Sequence, residues 1–180
     1  KSNQLKAKEF LRVMERESLR MSSLIDDLLG LSRVEVAEKL LPTEQVNLGD
    51  IMRDVLEILT PTAAKRNISI NYVQDASDPL IMGDYSQVVQ VFTNLLQNAI
   101  KYGGDGNKIK VIMDSIEYHK ALMTTGYKVS FEDTGIGIEE HHLARLTERF
   151  YRVDDHRSRN EGGTGIGLSI VQHIMVRHNG

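Results

Sequence analysis

Apolar residues recur every three or four positions from the start of the chain. Phe10, Met14, Met21, Leu24, Leu28 and Leu31 form the stripe, with Glu17 as a polar interruption and Leu11, Ile25 and Leu29 widening it. Gly30 is the only glycine before the first proline, Pro42, so the spacing predicts one long helix over Ser2–Glu38. Two readings of that stripe stand side by side: a helix packed on its own domain, or a helix taken from an oligomeric bundle. The charged residues beside it (Arg12, Glu15, Arg16, Arg20, Asp26, Asp27, Arg33, Glu35) mix both signs, as a solvated outer face does.

Val36–Asn47 loses the periodicity around Pro42 and reads as linker-like; a second unit begins at about residue 45. Leu48–Arg66 has helical spacing through Ile51, Val55, Ile58 and Leu59. Ile68–Val73 alternates as a strand, and Leu80–Met82 is a short strand closed by Gly83. Tyr85–Tyr102 is a strong helix. Lys108–Tyr118 and Tyr127–Glu132 form a hairpin with His119–Gly126 as its turn, and Ile166–Arg177 is a closing helix. The pattern is α+β, with helices on one face of a largely antiparallel sheet.

Composition narrows the classes without naming a function. The 180 residues are 41% hydrophobic and 26% charged, which excludes a disordered or collagen-like chain. A net charge of -3 carries no basic footprint for nucleic acid. The absence of cysteine removes disulfides, thiolate zinc sites and cysteine nucleophiles together, and fits a reducing cytoplasm. No apolar run approaches the roughly 18 residues of a membrane span. The first residue is Lys1 in a highly charged stretch, so no signal peptide is expected and the start reads as a fragment boundary.

Three segments could carry chemistry. On the helix 85–102, Val88, Val91, Phe92, Leu95, Ala99 and Ile100 share one broad side. Asn94, Asn98 and Lys101 lie within about 60° of one another on a different side. Amide oxygens suit a hard cation and an ammonium suits phosphate, although an exposed polar face would look the same. Asp133 ends a strand and precedes Gly135 and Gly137; such a carboxylate can accept from an exocyclic amine, or simply sit in a β-turn. Gly162 to Gly167 opens the last helix, where glycine-freed N–H groups can bind an anion or make an ordinary turn. A Walker loop is excluded because no Lys-Ser or Lys-Thr follows these glycines, and the dinucleotide fingerprint fails on spacing. The polar stretch Arg152–Glu161 between the glycine clusters suits a mobile lid. None of the six histidines makes a site by spacing.

The order of these segments says more than each alone. Asn94-Leu-Leu-Gln-Asn98-Ala-Ile-Lys101-Tyr102 is followed by Asp133-Thr-Gly135-Ile-Gly137-Ile138, then Arg149-Phe150-Tyr151-Arg152, then Gly163-Thr164-Gly165-Ile-Gly167-Leu168. Together they resemble the N box, first glycine box, F box and second glycine box of sensor histidine kinases. These are two-component enzymes with the Bergerat-type ATP-binding fold shared with gyrase B and MutL. Ser22-Ser-Leu-Ile-Asp-Asp-Leu-Leu-Gly-Leu-Ser-Arg33 resembles the second helix of their dimerisation and phosphotransfer hairpin. The likeness covers nearly the whole chain and looks closest to the phosphate-regulon sensor kinase type.

The resemblance implies a two-layer α/β sandwich at 45–180, a dimerisation helix at 1–36 and a linker at 37–44. It implies Mg-ATP as the bound nucleotide. Asn94 and Lys101 would be catalytic, Asn98 would hold Mg2+, and Tyr102 would lie beside the nucleotide. Asp133 would read the adenine amine, with Gly135, Gly137 and Ile138 shaping its pocket. Phe150 would hinge or pack the lid, and Arg157 and Arg159 would be lid contacts. Gly163, Thr164, Gly165, Gly167 and Leu168 would cradle phosphate. A second copy of the chain and a response-regulator receiver domain would be the partners, with neither nucleic acid nor a membrane segment in this chain. Its location would be cytoplasmic, with the parent an inner-membrane sensor.

Two departures accompany the likeness: no phosphoacceptor His box, and an end at Asn179-Gly180 where the family continues into closing strands. Self-phosphorylation and completeness of the sheet are therefore not expected of this chain. The alternatives are an ATP-hydrolysing relative and a non-catalytic nucleotide-binding scaffold. Asn94 weighs against hydrolysis, because the gyrase and MutL branch has there a Glu that serves as general base, and an amide takes no proton near neutral pH.

Overall fold

The computed structural model describes residues 2–37, 41–120, 123–153 and 163–180. In chain order the elements are α1 (Ser2–Ala37), β1 (Gln45–Asn47), α2 (Leu48–Ala64), β2 (Ser69–Gln74), β3 (Leu80–Met82), α3 (Tyr85–Tyr102), β4 (Lys108–His119), β5 (Thr124–Asp133), α4 (Glu140–Leu143) and α5 (Gly167–Arg177).

Local chemistry sets the main helix starts. The Asn47 side chain accepts from the N–H groups of Gly49 and Asp50 at 2.8 and 3.1 Å and so caps α2. Asp84 caps α3 through Gln87 N–H at 3.2 Å. The far end of α3 is closed by Arg66, which donates to the carbonyls of Ile100 and Lys101 at 2.7 and 3.1 Å.

The helices α2, α3 and α5 pack together over the sheet, with α2 against β2 and α3 against β5. Ile51, Met52 and Val55 of α2, Leu96 of α3, Ile109, Val111 and Met113 of β4, and Ile170 and Ile174 of α5 fill the shared core. This is the α+β, two-layer arrangement that the alternation and helical spacing imply.

The sheet departs from a largely antiparallel one. β2 pairs parallel with β4 (Ser69 opposite Lys108), and β4 pairs antiparallel with β5 (Ile109 opposite Asp133). The connection from β2 to β4 carries β3 and α3, a crossover long enough for parallel pairing; alternation along a strand does not encode its neighbour's direction. Gln45–Asn47 is strand β1 rather than linker, because Val46 is buried and pairs antiparallel with Ile81 of β3. The hairpin turn is tighter than His119–Gly126, since β4 runs to His119 and β5 begins at Thr124. On α3 it is Leu96, not Leu95, that is fully buried, because Val88, Phe92 and Leu96 follow one another at four-residue steps.

The long first helix meets the domain along a mixed stripe that shares Leu24 with its apolar one. Arg20, Leu24, Asp27 and Gly30 are half-buried, and α1 packs against α5. A Cβ on Gly30 would lie 3.1 Å from Gln90 Nε2, so α1 also runs close to α3. Phe10, Met14, Met21, Ile25 and Leu28 remain exposed. Arg20 and Asp27 therefore do not belong to the solvated outer face that their mixed charge suggested. Among the described residues no helix is long and apolar enough to cross a membrane.

Candidate nucleotide site

The amphipathic packing of α3 decides what its other side does. With Val88, Val91, Phe92, Leu96, Ala99 and Ile100 in the core, Asn94, Asn98 and Lys101 turn to a cavity of about 430 Å³. The opposite wall comes from the end of β5 and the loop after it: Phe131, Asp133, Ile136, Gly137 and Ile138. Tyr151, Arg152 and Val153 add a side, with Tyr102 and Leu146. Gly163, Thr164, Gly165, Gly167 and Leu168 complete the lining beside the start of α5.

Hydrogen bonds tie the separate segments together. Asn94 Nδ2 donates to the Gly167 carbonyl at 3.2 Å, joining α3 to the second glycine cluster and leaving Oδ1 for another partner. Gly135 N–H donates to Asp133 Oδ1 at 2.8 Å, an Asx-type turn that holds the carboxylate at the end of β5. Helix α5 starts behind Ile166 without a side-chain cap, so its first N–H groups are not claimed by a capping side chain. Gly165 takes φ +75, and a Cβ there would lie 2.9 Å from the carbonyl carbon of Phe150; both facts require glycine.

Two expected residues lie outside this lining. Gly135 acts through backbone: a Cβ on it would stand 2.8 Å from the Gly103 Cα, so it lets the loop rest on the end of α3. Phe150 is exposed, at φ 63, with its N–H donating to the Gly165 carbonyl at 2.8 Å. Arg157 and Arg159 lie outside the described residues.

The cavity also takes residues that periodicity and motif spacing did not single out. Ser23 and Asp27 of α1 line it, and Thr164 Oγ1 donates to Asp27 Oδ2 at 2.6 Å. Burial pushes the Asp27 carboxyl above its ordinary value, against the opposing pull of the Thr164 bond and the Lys101 charge. Tyr151 is fixed from outside by His142 Nδ1 at 2.5 Å from its hydroxyl and by the Arg145 guanidinium 4.1 Å from its ring centre. Asp27 sits beside Asp26 in a run that reads as surface, and only the docking of α1 separates the two.

Residues 83–180 match the family described as Histidine kinase-, DNA gyrase B-, and HSP90-like ATPase. The chain belongs to this ATPase family. Among curated relatives of this chain, the phosphate regulon sensor protein PhoR of Pseudomonas aeruginosa is 36% identical over 169 residues, 93% of this chain. The sensor histidine kinase RppB of Synechocystis sp. is 36% identical over 170 residues, 94% of this chain. The chain spans 36% of the length of each. The catalytic domain of histidine kinase ThkA superposes with a TM-score of 0.63 at 27% identity, covering 77% of this chain and 82% of that one. ThkA is also known in complex with the response regulator protein TrrA.

Proposed function

We propose that this chain is the ATP-binding part of a sensor histidine kinase, with residues 1–36 a dimerisation helix, 37–44 a linker and 45–180 the catalytic domain. The observation that carries the reading is the convergence of four sequence segments, far apart in the chain, on one cavity that the Asp133 carboxylate, two amides, an ammonium and a glycine loop line together.

Asp133 has one oxygen engaged by Gly135 and offers the other to the exocyclic amine of adenine. Guanine presents an acceptor there, so the pairing favours ATP. Asn94 and Asn98 supply neutral oxygens that fit a hard cation, and Lys101 supplies positive charge for phosphate. Mg2+ held by Asn98 would supply charge neutralisation of the nucleotide phosphates. The domain's own work is positioning the γ-phosphoryl group for a histidine nitrogen, from which it passes to an aspartate of a response regulator. The complex formed by ThkA supports that last partner. Hydrolysis is the poorer reading, because the Asn94 amide has no proton affinity near neutral pH and spends its N–H on Gly167.

The adenine assignment is tested by Asp133→Asn. Titration calorimetry is expected to show ATP affinity at least about tenfold lower, from the loss of a charge-assisted bond. Equal ATP affinity in the variant, or equal GTP affinity in the unaltered chain, would overturn it.

A further inference from the structure

Asn107 is a polar side chain in the core, 4% exposed, just before β4. Its Nδ2 donates to the Ala99 carbonyl at 3.3 Å. Its Oδ1 accepts from Thr134 N–H at 2.8 Å and from the Thr134 hydroxyl at 2.7 Å. That hydroxyl in turn accepts from Lys108 N–H at 3.1 Å. One buried amide thus bridges two backbones that are 35 residues apart in sequence, Ala99 on α3 and Thr134 after β5.

Those two attachment points are informative. Ala99 follows Asn98 and stands two residues before Lys101, on the helix that brings both side chains to the cavity. Thr134 follows Asp133, which lines the same cavity from the end of β5. Nothing bulky separates the two backbones. A Cβ on Gly135 would stand 2.8 Å from Gly103 Cα, and a Cβ on Gly103 would fall 1.8 Å from Asn107 Nδ2. Each end also has local support of its own: Asp133 through Gly135 N–H, Thr134 through its N–H to the Lys108 carbonyl at 3.2 Å, and α3 through Arg66. Asn107 is the cross-link between ends that are each already shaped.

We propose that Asn107 is a positioning residue that fixes the spacing between the base-reading and phosphate-facing halves of the site. The proposal rests on the nucleotide reading above. A nucleotide joins base and phosphates covalently, so the site gains from both only when its halves stand at the ligand's own spacing; a loose spacing forfeits the gain of binding both ends at once.

The test measures affinity of the full chain for three probes, Mg-ATP, adenosine and tripolyphosphate, by competition against a fluorescent ATP analogue. Asn107→Ala is expected to weaken ATP at least tenfold while changing adenosine and tripolyphosphate less than twofold each. Thr134→Val keeps the shape of this exposed side chain and removes its hydroxyl, and with it one of the three bonds of Asn107 and the acceptor of Lys108 N–H. It is expected to show the same selective pattern at three- to fivefold, and it carries the test if Asn107→Ala does not fold. A parallel loss for all three probes would mean a merely structural role, and unchanged ATP affinity in Thr134→Val would also overturn the proposal. Asp133→Asn, measured beside them, separates the two ideas: if it alone weakens ATP, the adenine reading stands and the positioning role falls. If Asp133→Asn leaves ATP affinity unchanged, the adenine reading falls and the positioning role falls with it.

Discussion

Two aspartates of this chain respond to their surroundings in opposite senses. Burial opposes the charge of Asp84, but bonds from Ser86, the Gln87 N–H and Arg177 outweigh it and hold its carboxyl below the ordinary 3.8. Asp27 is held above 3.8 because burial wins. A lowered carboxyl adds stability above the unfolded value that is lost as pH falls through the folded one; a raised carboxyl costs stability above its folded value, and the cost fades as pH falls. Asp27→Asn keeps an oxygen for Thr164 and removes the charge. Its thermal midpoint is therefore expected to exceed that of the unaltered chain at pH 7, with the gap closing as pH falls below 3.8, where the carboxyl is protonated in the folded and the unfolded chain alike. A midpoint at pH 7 below the unaltered one would contradict this account. That Asn94, Asp133 and the second glycine cluster share one cavity was legible from the order of the motifs and the resemblance it carries, since the spacing of each alone left a polar face or a turn open. Asn107 and Asp27 were not, because each acts through a partner brought close only by folding: Thr134 for one, Thr164 for the other.

The elements divide in the same way. Helices α2, α3 and α5 could be read from three- and four-residue recurrence, and β3 from its closing glycine. The parallel partnership of β2 and β4 could not, since direction is a property of a pair of strands and not of either one. The face of α1 that meets the domain was equally hidden, because one helix carries an apolar stripe and a mixed stripe and only contact chooses between them. With Met14, Met21 and Leu28 exposed while Leu24 packs against the core, the apolar stripe is available to a second helix. Met21→Lys combined with Leu28→Lys is expected to lower the mass seen in sedimentation toward the 20.3 kDa of one chain. Because neither residue belongs to the domain-facing stripe, the thermal unfolding of the domain should hardly move. An unaltered chain that sediments as a monomer at high concentration would remove the prediction.

As a whole the molecule holds six histidines, and none is on α1. His141 and His142 are on α4, His173 on α5, His178 just past it and His119 at the end of β4, all parts of the nucleotide domain itself. A phosphoryl acceptor has to meet the γ-phosphate in line, and misplacement by about 1 Å can cost on the order of a hundredfold in rate. Incubation with labelled Mg-ATP is expected to leave no acid-labile phosphate on this chain. A separate helical hairpin that carries an acceptor histidine should become labelled, and strong label mapped to any histidine of this chain would contradict the expectation. The hydrogen bond from Thr164 to Asp27 has a wider consequence. On the proposed reading, in which this loop holds phosphate, α1 and the nucleotide are rival ligands of it, and rival ligands obey reciprocity: the factor by which one weakens the other is the same in both directions. ATP should therefore loosen α1, seen as faster amide exchange around Asp27. Any pull or twist delivered through α1 from elsewhere becomes, in that measure, a change in the ATP concentration at which the site fills. The helix would act as a lever whose far end is read as an affinity.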